Sequence, residues 1–157
     1  MCKDLSTMVG KVLSINISRH KGEKKRQILS ARLIENFGIE GDAHAGSSIR
    51  QVSMLFESDI KRMKERGLEI GFGDFAENIT ADMNGDINIV IGTRILINDC
   101  LLEVTQIGKD CHTRCNIFKQ VGFCVMPESG IFMKVISGGE IKIGDNIWII
   151  NNSETKG

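Results

Sequence analysis

The sequence predicts a mainly β protein, a single barrel-like domain with one or two short helices. Three observations point to this. Short alternating or continuous apolar runs recur along the chain, about eight in all, bounded by turn residues. The 17 glycines are spread between those runs, where a chain that reverses often needs them. Strands do not alternate regularly with helices, which argues against a parallel α/β sheet and for a closed or nearly closed barrel.

Taken in order, Val9 to Ile17 (VGKVLSINI) alternates apolar and polar residues and reads as a strand. A basic turn, SRHKGEKKR, holds Gly22 and leads into a second strand, Ile28 to Ile34. The glycine-, Asn- and Asp-bearing stretch NFGIEGDAHAGSS reads as a loop, and Ile49 to Phe56 (IRQVSMLF) as the next strand. Glu57 to Arg66 (ESDIKRMKER) is rich in helix formers, sets Ile60 and Met63 on one face and stops at Gly67. Glycines then punctuate LEIGFGDFAENIT. Further strands are expected at Ile87 to Ile91, Arg94 to Ile97, Leu101 to Ile107, Ile131 to Ile136 and Asn146 to Ile150, with CNIFKQV as a second short helix.

The 157 residues suit one domain with a core over about 9–150 and a polar tail, NNSETKG, at 151–157. Acidic and basic residues balance at 20 each, so bulk charge predicts neither nucleic-acid nor membrane binding. No apolar run approaches the ~20 residues of a membrane span. The N-terminal MCKDLSTMVG lacks the apolar core of a signal peptide, so a cytoplasmic, reduced protein is expected. Five cysteines, an odd number, then read as thiols and not as a disulfide framework. Cys100, in NDCLLEVTQ, reads as a small buried hydrophobe, and Cys124 as packing beside Phe123, Val125 and Met126.

The remaining chemistry falls into four groups. GKDCHTRCNIFKQVGFCVMP brings Cys111, His112, Arg114, Cys115 and Cys124 together. Zinc would want a second clean ligand pair there. A reactive thiol would use Lys109, His112 and Arg114 to stabilise the thiolate of Cys111, and a solvated basic loop is the plainer reading. In GIEGDAHAGSSIRQVS, His44 lies among glycines with Asp42 close by and Arg50 beyond, a pattern suited to an anion and equally to a turn-capping histidine. SRHKGEKKR is a phosphate site or, more simply, a solvated charge run. Glu77 and Asn78, after a glycine-rich turn, read as side chains that brace a loop.

Six segments in order, GIEGDAHAG, RQVSML, GDFAENIT, IGTRI, LEVTQIGKDCHTRC and CVMPESGIFMKVISGGEIKIGD, resemble the MOSC domain, named for the C-terminal part of molybdenum cofactor sulfurase. The resemblance covers about Val9 to Ile150 and is nearest to short stand-alone bacterial members. It implies a β-barrel that binds the molybdenum cofactor (molybdopterin), with a family-level association with pyridoxal phosphate. It implies a signature cysteine, Cys111 by its offset from the EVT strand, acting as metal ligand or sulfur carrier. Cys115, which follows Arg114, is the alternative position. By the same resemblance His44 matches the GD-x-H-x-G histidine and joins Cys111 in the catalytic role. Arg50, Asn78 and Lys25 match cofactor-binding positions, and His112, Arg114 and Cys115 join them. Ser48-Ile49 before Arg50 and Glu128-Ser129 in MPESG depart from the family pattern.

The implied activities are cofactor sulfuration and reduction of N-hydroxylated compounds, as a molybdenum-dependent oxidoreductase or a sulfurtransferase-like protein. Implied partners are the pterin cofactor, a sulfur-donating desulfurase, a redox partner and a molybdopterin-biosynthesis protein. The alternative is a non-catalytic module that delivers the cofactor to a molybdoenzyme.

Overall fold

Strand β1, Ser6–Ile17, is the spine of the molecule, since three other strands pair along its length. The computed structural model describes residues 6–20, 23–46, 48–67, 69–83, 88–108 and 130–150. The chain continues through β2 (Arg26–Ile28), β3 (Ser30–Ile34), β4 (Gly38–Ile39), β5 (Val52–Phe56), helix α1 (Glu57–Glu65) and β6 (Ile79–Met83). It ends with β7 (Arg94–Ile97), β8 (Cys100–Ile107), β9 (Ile131–Ser137), β10 (Gly139–Lys142) and β11 (Asn146–Ile150).

Seven strands close into a barrel in the order β1-β11-β7-β8-β9-β5-β6, and β6 returns to β1. β2 hooks onto the far end of β1, where Ile15 pairs with Ile28 and Ile17 with Arg26. To serve β11, β6 and β2 in turn, β1 must bend, and it does so at register shifts between Met8 and Gly10 and between Val12 and Ser14. At the first bend a Cβ on Gly10 would lie 1.9 Å from the carbonyl oxygen of Asp82, so only glycine fits. The interior is filled by the inward side chains the alternation predicts, among them Val12, Ile15, Val52, Met54, Ile79, Ile95, Ile97, Leu102, Val104 and Met133.

Every barrel pairing is antiparallel except one. β5 and β6 run parallel, joined by α1 and a glycine-rich loop, which makes one strand–helix–strand unit inside a barrel. The helix covers the outside of that unit. Ile60 and Met63 pack with Leu55, Phe75 and Phe132 into a second apolar cluster. Its charges suit its dipole, with Glu57 and Asp59 in the first turn, Arg62 and Lys64 in the last, and Arg62 bonded to Asp59 at 2.6 Å.

Several expected elements shift. The single strand expected over Ile28 to Ile34 is two, because the chain changes sheets at Leu29: β2 pairs with β1, whereas β3 joins β10 and β4 in a separate three-stranded sheet. The run expected as a strand over Ile87 to Ile91 is none over 88–91; Val90 and Thr93 close a turn with Gly92 at φ 97°, so these backbone groups bond locally. β5 begins at Val52, which leaves Arg50 on the preceding loop. β4, β6 and β10 were not expected. The CNIFKQV helix and the 151–157 tail lie outside the described residues.

Candidate functional site

The loop from β4 to β5, the start of β5, the loop entering β6 and the start of β9 line a pocket of about 90 Å³ with His44, Arg50, Ser53, Phe75, Ala76, Asn78 and Phe132, and the turn from β1 to β2 joins them through Lys25 beside His44. Three residues nominated from sequence, His44, Arg50 and Asn78, therefore share one wall.

Arg50 is held from two sides. Its Nε donates to Gln106 Oε1 at 3.1 Å, and its guanidinium carbon lies 5.6 Å from the centre of the Phe132 ring. The two terminal nitrogens have no protein partner among the described residues, so the outer edge of the fork can meet a ligand. Gln106 also donates through Nε2 to the carbonyl of Gly108 at 2.8 Å, and Gly108 N–H donates to the Gly130 carbonyl at 2.7 Å. Thr105 Oγ1 donates to the Ile49 carbonyl and fixes the backbone before Arg50. Gln106 thus links Arg50 to the two residues from which the 109–129 segment departs.

Lys25 is the departure from the solvated charge run. Arg19, His20, Lys24 and Arg26 are exposed, but the Lys25 side chain is fully buried, as is that of Asp42. Lys25 Nζ donates to Asp42 Oδ1 at 2.7 Å and to Ser18 Oγ at 3.2 Å, and lies 2.9 Å from His44 Nδ1. It is not among the described lining residues of the pocket and meets it through His44. Asp42 also accepts from the backbone N–H of Ser18 at Oδ1 and of His44 at Oδ2, both at 3.1 Å. Burial alone would raise its pKa; the Lys25 ammonium and the Ser18 N–H outweigh that and hold it below the ordinary carboxylate value.

Asn78 and Glu77 brace the loop, as their neighbourhood in the sequence suggested. Asn78 Oδ1 accepts from Ser53 N–H at 2.9 Å, and its Nδ2 donates to the Asn16 carbonyl at 3.1 Å. Glu77, fully buried, accepts from the N–H groups of Gly73 (2.8 Å) and Phe75 (3.2 Å) and from Thr80 Oγ1 (2.7 Å). Burial raises the pKa of Glu77, and these donors offset only part of that rise. The loop needs Gly73, whose φ is +90° and whose Cβ would meet the Lys25 carbonyl at 2.6 Å.

Cys111, His112, Arg114, Cys115 and Cys124 lie outside the described residues. Among the described residues no three His, Cys, Asp or Glu side chains gather as a metal site. Cys100 is the buried hydrophobe expected, with its thiol pushed up to about 11 by burial and then by Asp99 and Asp145. No helix among the described residues is long and apolar enough to cross a membrane. Sequence reasoning did not nominate Phe75, Phe132, Ser53 or Gln106. They are ordinary strand and loop residues whose roles arise only when distant segments meet.

A barrel of mainly antiparallel strands, with a cation and two aromatic rings at one pocket, defines the class of protein. A model of the MOSC domain matches residues 41–148, and the chain belongs to that family. Solved structures with the same fold include the YuaD protein from Bacillus subtilis, at TM-score 0.75 and 16% identity, covering 92% of this chain and 97% of that one. YiiM from Geobacillus stearothermophilus superposes at TM-score 0.67 and 16% identity, over 91% of this chain and 76% of that one. YiiM from Escherichia coli does so at 0.64 and 17%, over 92% and 71%. No curated protein matches the chain.

Proposed function

We propose that the protein binds the molybdenum cofactor, with the anionic end of the pterin in the His44–Arg50 pocket and Cys111 as metal ligand or sulfur carrier. The observation that carries this reading is the pocket's donor set. Arg50 offers a guanidinium edge with no partner among the described residues, His44 lines the same pocket, and no carboxylate is among the described lining residues. Such a site favours an anion. A volume of about 90 Å³ suits a phosphate-sized group and is well below the roughly 300 Å³ of a pocket that encloses a whole small ligand. The rest of the cofactor would extend past this lining. The link from Arg50 through Gln106 to Gly108 supports a role for the cysteine-bearing segment at the same place.

When bound, the group would supply a redox-active metal able to exchange oxygen or sulfur. The protein's own contribution is to hold it. Arg50 binds the anion, Phe132 keeps the guanidinium plane in position, and the Asn78–Ser53 bonds fix the pocket floor. A thiolate at Cys111 is a soft ligand suited to such a metal and a nucleophile suited to carrying sulfur.

Arg50→Met tests the anion site. Losing a charged hydrogen-bonding group should weaken pterin retention roughly 10- to 100-fold. Pterin released from wild type and variant, both expressed in a host that makes molybdopterin, would be measured by fluorescence after oxidation. Equal retention in the variant would contradict the assignment of Arg50.

A further inference from the structure

We propose that Ala76 is a specificity-determining residue of the pocket, whose methyl group, held at a conformational cost, limits the site to an anion of phosphate size. The choice of anion rests on the pocket reading above; the strain at Ala76 does not.

Three non-glycine residues among those described have positive φ: Asn36 (54°), Ala76 (66°) and Asn98 (54°). Asparagine visits this left-handed region readily, because its short polar side chain can bond to the local backbone. Alanine has no such group, and in this region its Cβ crowds the following carbonyl oxygen. The neighbours force the conformation. Glu77 takes the N–H groups of Gly73 and Phe75 on its two carboxylate oxygens, at 2.8 and 3.2 Å. The Ala76 N–H donates to the Gly73 carbonyl at 3.0 Å, and beyond it the Asn78 N–H donates to the Ser53 carbonyl at 3.1 Å. Bonds on both sides of Ala76 thus over-determine its φ, the condition under which such strain persists.

A glycine at position 76 would make the same turn without this cost, so the methyl group needs a use. The core does not supply one, because Ala76 is only partly buried and belongs to neither apolar cluster. The pocket does, because Ala76 is one of its lining residues. Its N–H, the one group that could bind an anion, is spent on Gly73, and its carbonyl, 3.4 Å from Ser53 Oγ, only accepts. What Ala76 offers the pocket is therefore apolar surface. In a cavity of about 90 Å³ that also holds Arg50, one methyl group decides the size of anion that fits.

The test is Ala76→Gly, read in two ways. Urea unfolding should give a midpoint at or above that of wild type, because relief of the positive φ offsets the added freedom of the unfolded chain. Calorimetric titration with inorganic phosphate and with pyrophosphate, at matched ionic strength, should show the preference for phosphate falling roughly 10-fold in the variant, the discrimination that one methylene-sized group commands. Arg50→Met is titrated beside them and should lose phosphate binding, which locates the anion in this pocket. An unchanged preference in Ala76→Gly, with binding that depends on Arg50, overturns the role of Ala76 and leaves the anion pocket standing. A midpoint clearly below that of wild type overturns it too, since the methyl group would then serve the fold. Phosphate binding that is absent from wild type, or that survives Arg50→Met, overturns both the anion pocket and the role given to Ala76.

Discussion

At the scale of single residues, the site depends on which polar groups are buried with partners and which are not. The Lys25–Asp42 pair is fully buried, and its geometry holds the Asp42 pKa below its ordinary 3.8. A depressed carboxylate contributes stability that is complete above its unfolded value and is lost as pH falls through the folded one. Lys25→Met/Asp42→Asn should therefore flatten the acid limb of stability below about pH 3.8, seen as a smaller loss of urea midpoint on acidification. Glu77 has the opposite sign. Its folded pKa lies above 4.5, so its ionisation costs stability as pH rises from there through the folded value. The stability of wild type relative to Glu77→Gln should fall over that window, and a flat or rising difference would contradict the assignment. Cys100, with a thiol raised to about 11, should resist iodoacetamide at pH 8 until the protein is denatured, as peptide mass spectrometry would show. His44, Arg50 and Asn78, which line one pocket, were nominated through the family resemblance, because a glycine-rich loop with such side chains suits a capped or braced turn as well as an anion. The burial of Lys25 was not, because a run of basic residues is ordinarily solvated and only the fold brings Asp42 to one member of it.

At the scale of elements, the glycine-rich loop before β6 and helix α1 together shape the pocket. Phe75 from the loop and Phe132 from β9 line the pocket and also pack in the cluster under Ile60 and Met63. Met63→Ala should cost roughly 2–5 kcal/mol in chemical unfolding and also weaken anion binding, because the aromatic wall loses its backing. Gly73→Ala should destabilise by more than about 1 kcal/mol, since it combines a positive φ with a collision against the Lys25 carbonyl. The helix and the strands at Arg94–Ile97 and Asn146–Ile150 were readable, having clear periodicity and clear stops. β4 and β10 were not, at two and four residues, because so short a run carries no period. β6, over ITADM, follows a loop so rich in glycine that its start is masked, and its parallel pairing with β5 is a single crossover without repetition to reveal it.

For the whole molecule, barrel closure was legible from the number of short apolar strands, and the family from six ordered segments; the side sheet of β3, β4 and β10 was not, because it depends on the chain changing sheets at Leu29 and at Gly138-Gly139. A Cβ at Gly138 would lie 2.4 Å from the Leu33 carbonyl, so the second corner is reserved for glycine by a contact no local pattern announces. The closed barrel matters to function because it fixes β5, β6 and β9 against one another and so sets the pocket that their loops complete. A molybdenum-cofactor site that uses Cys111 is tested most directly by metal and pterin content. Wild type and Cys111→Ser would be purified from a host that makes molybdopterin, with cyanide-labile sulfur measured alongside. Pterin is expected in both proteins, with either molybdenum or labile sulfur present in wild type and lost from the variant. Absence of pterin from wild type, or equal molybdenum and sulfur in the two proteins, would contradict it.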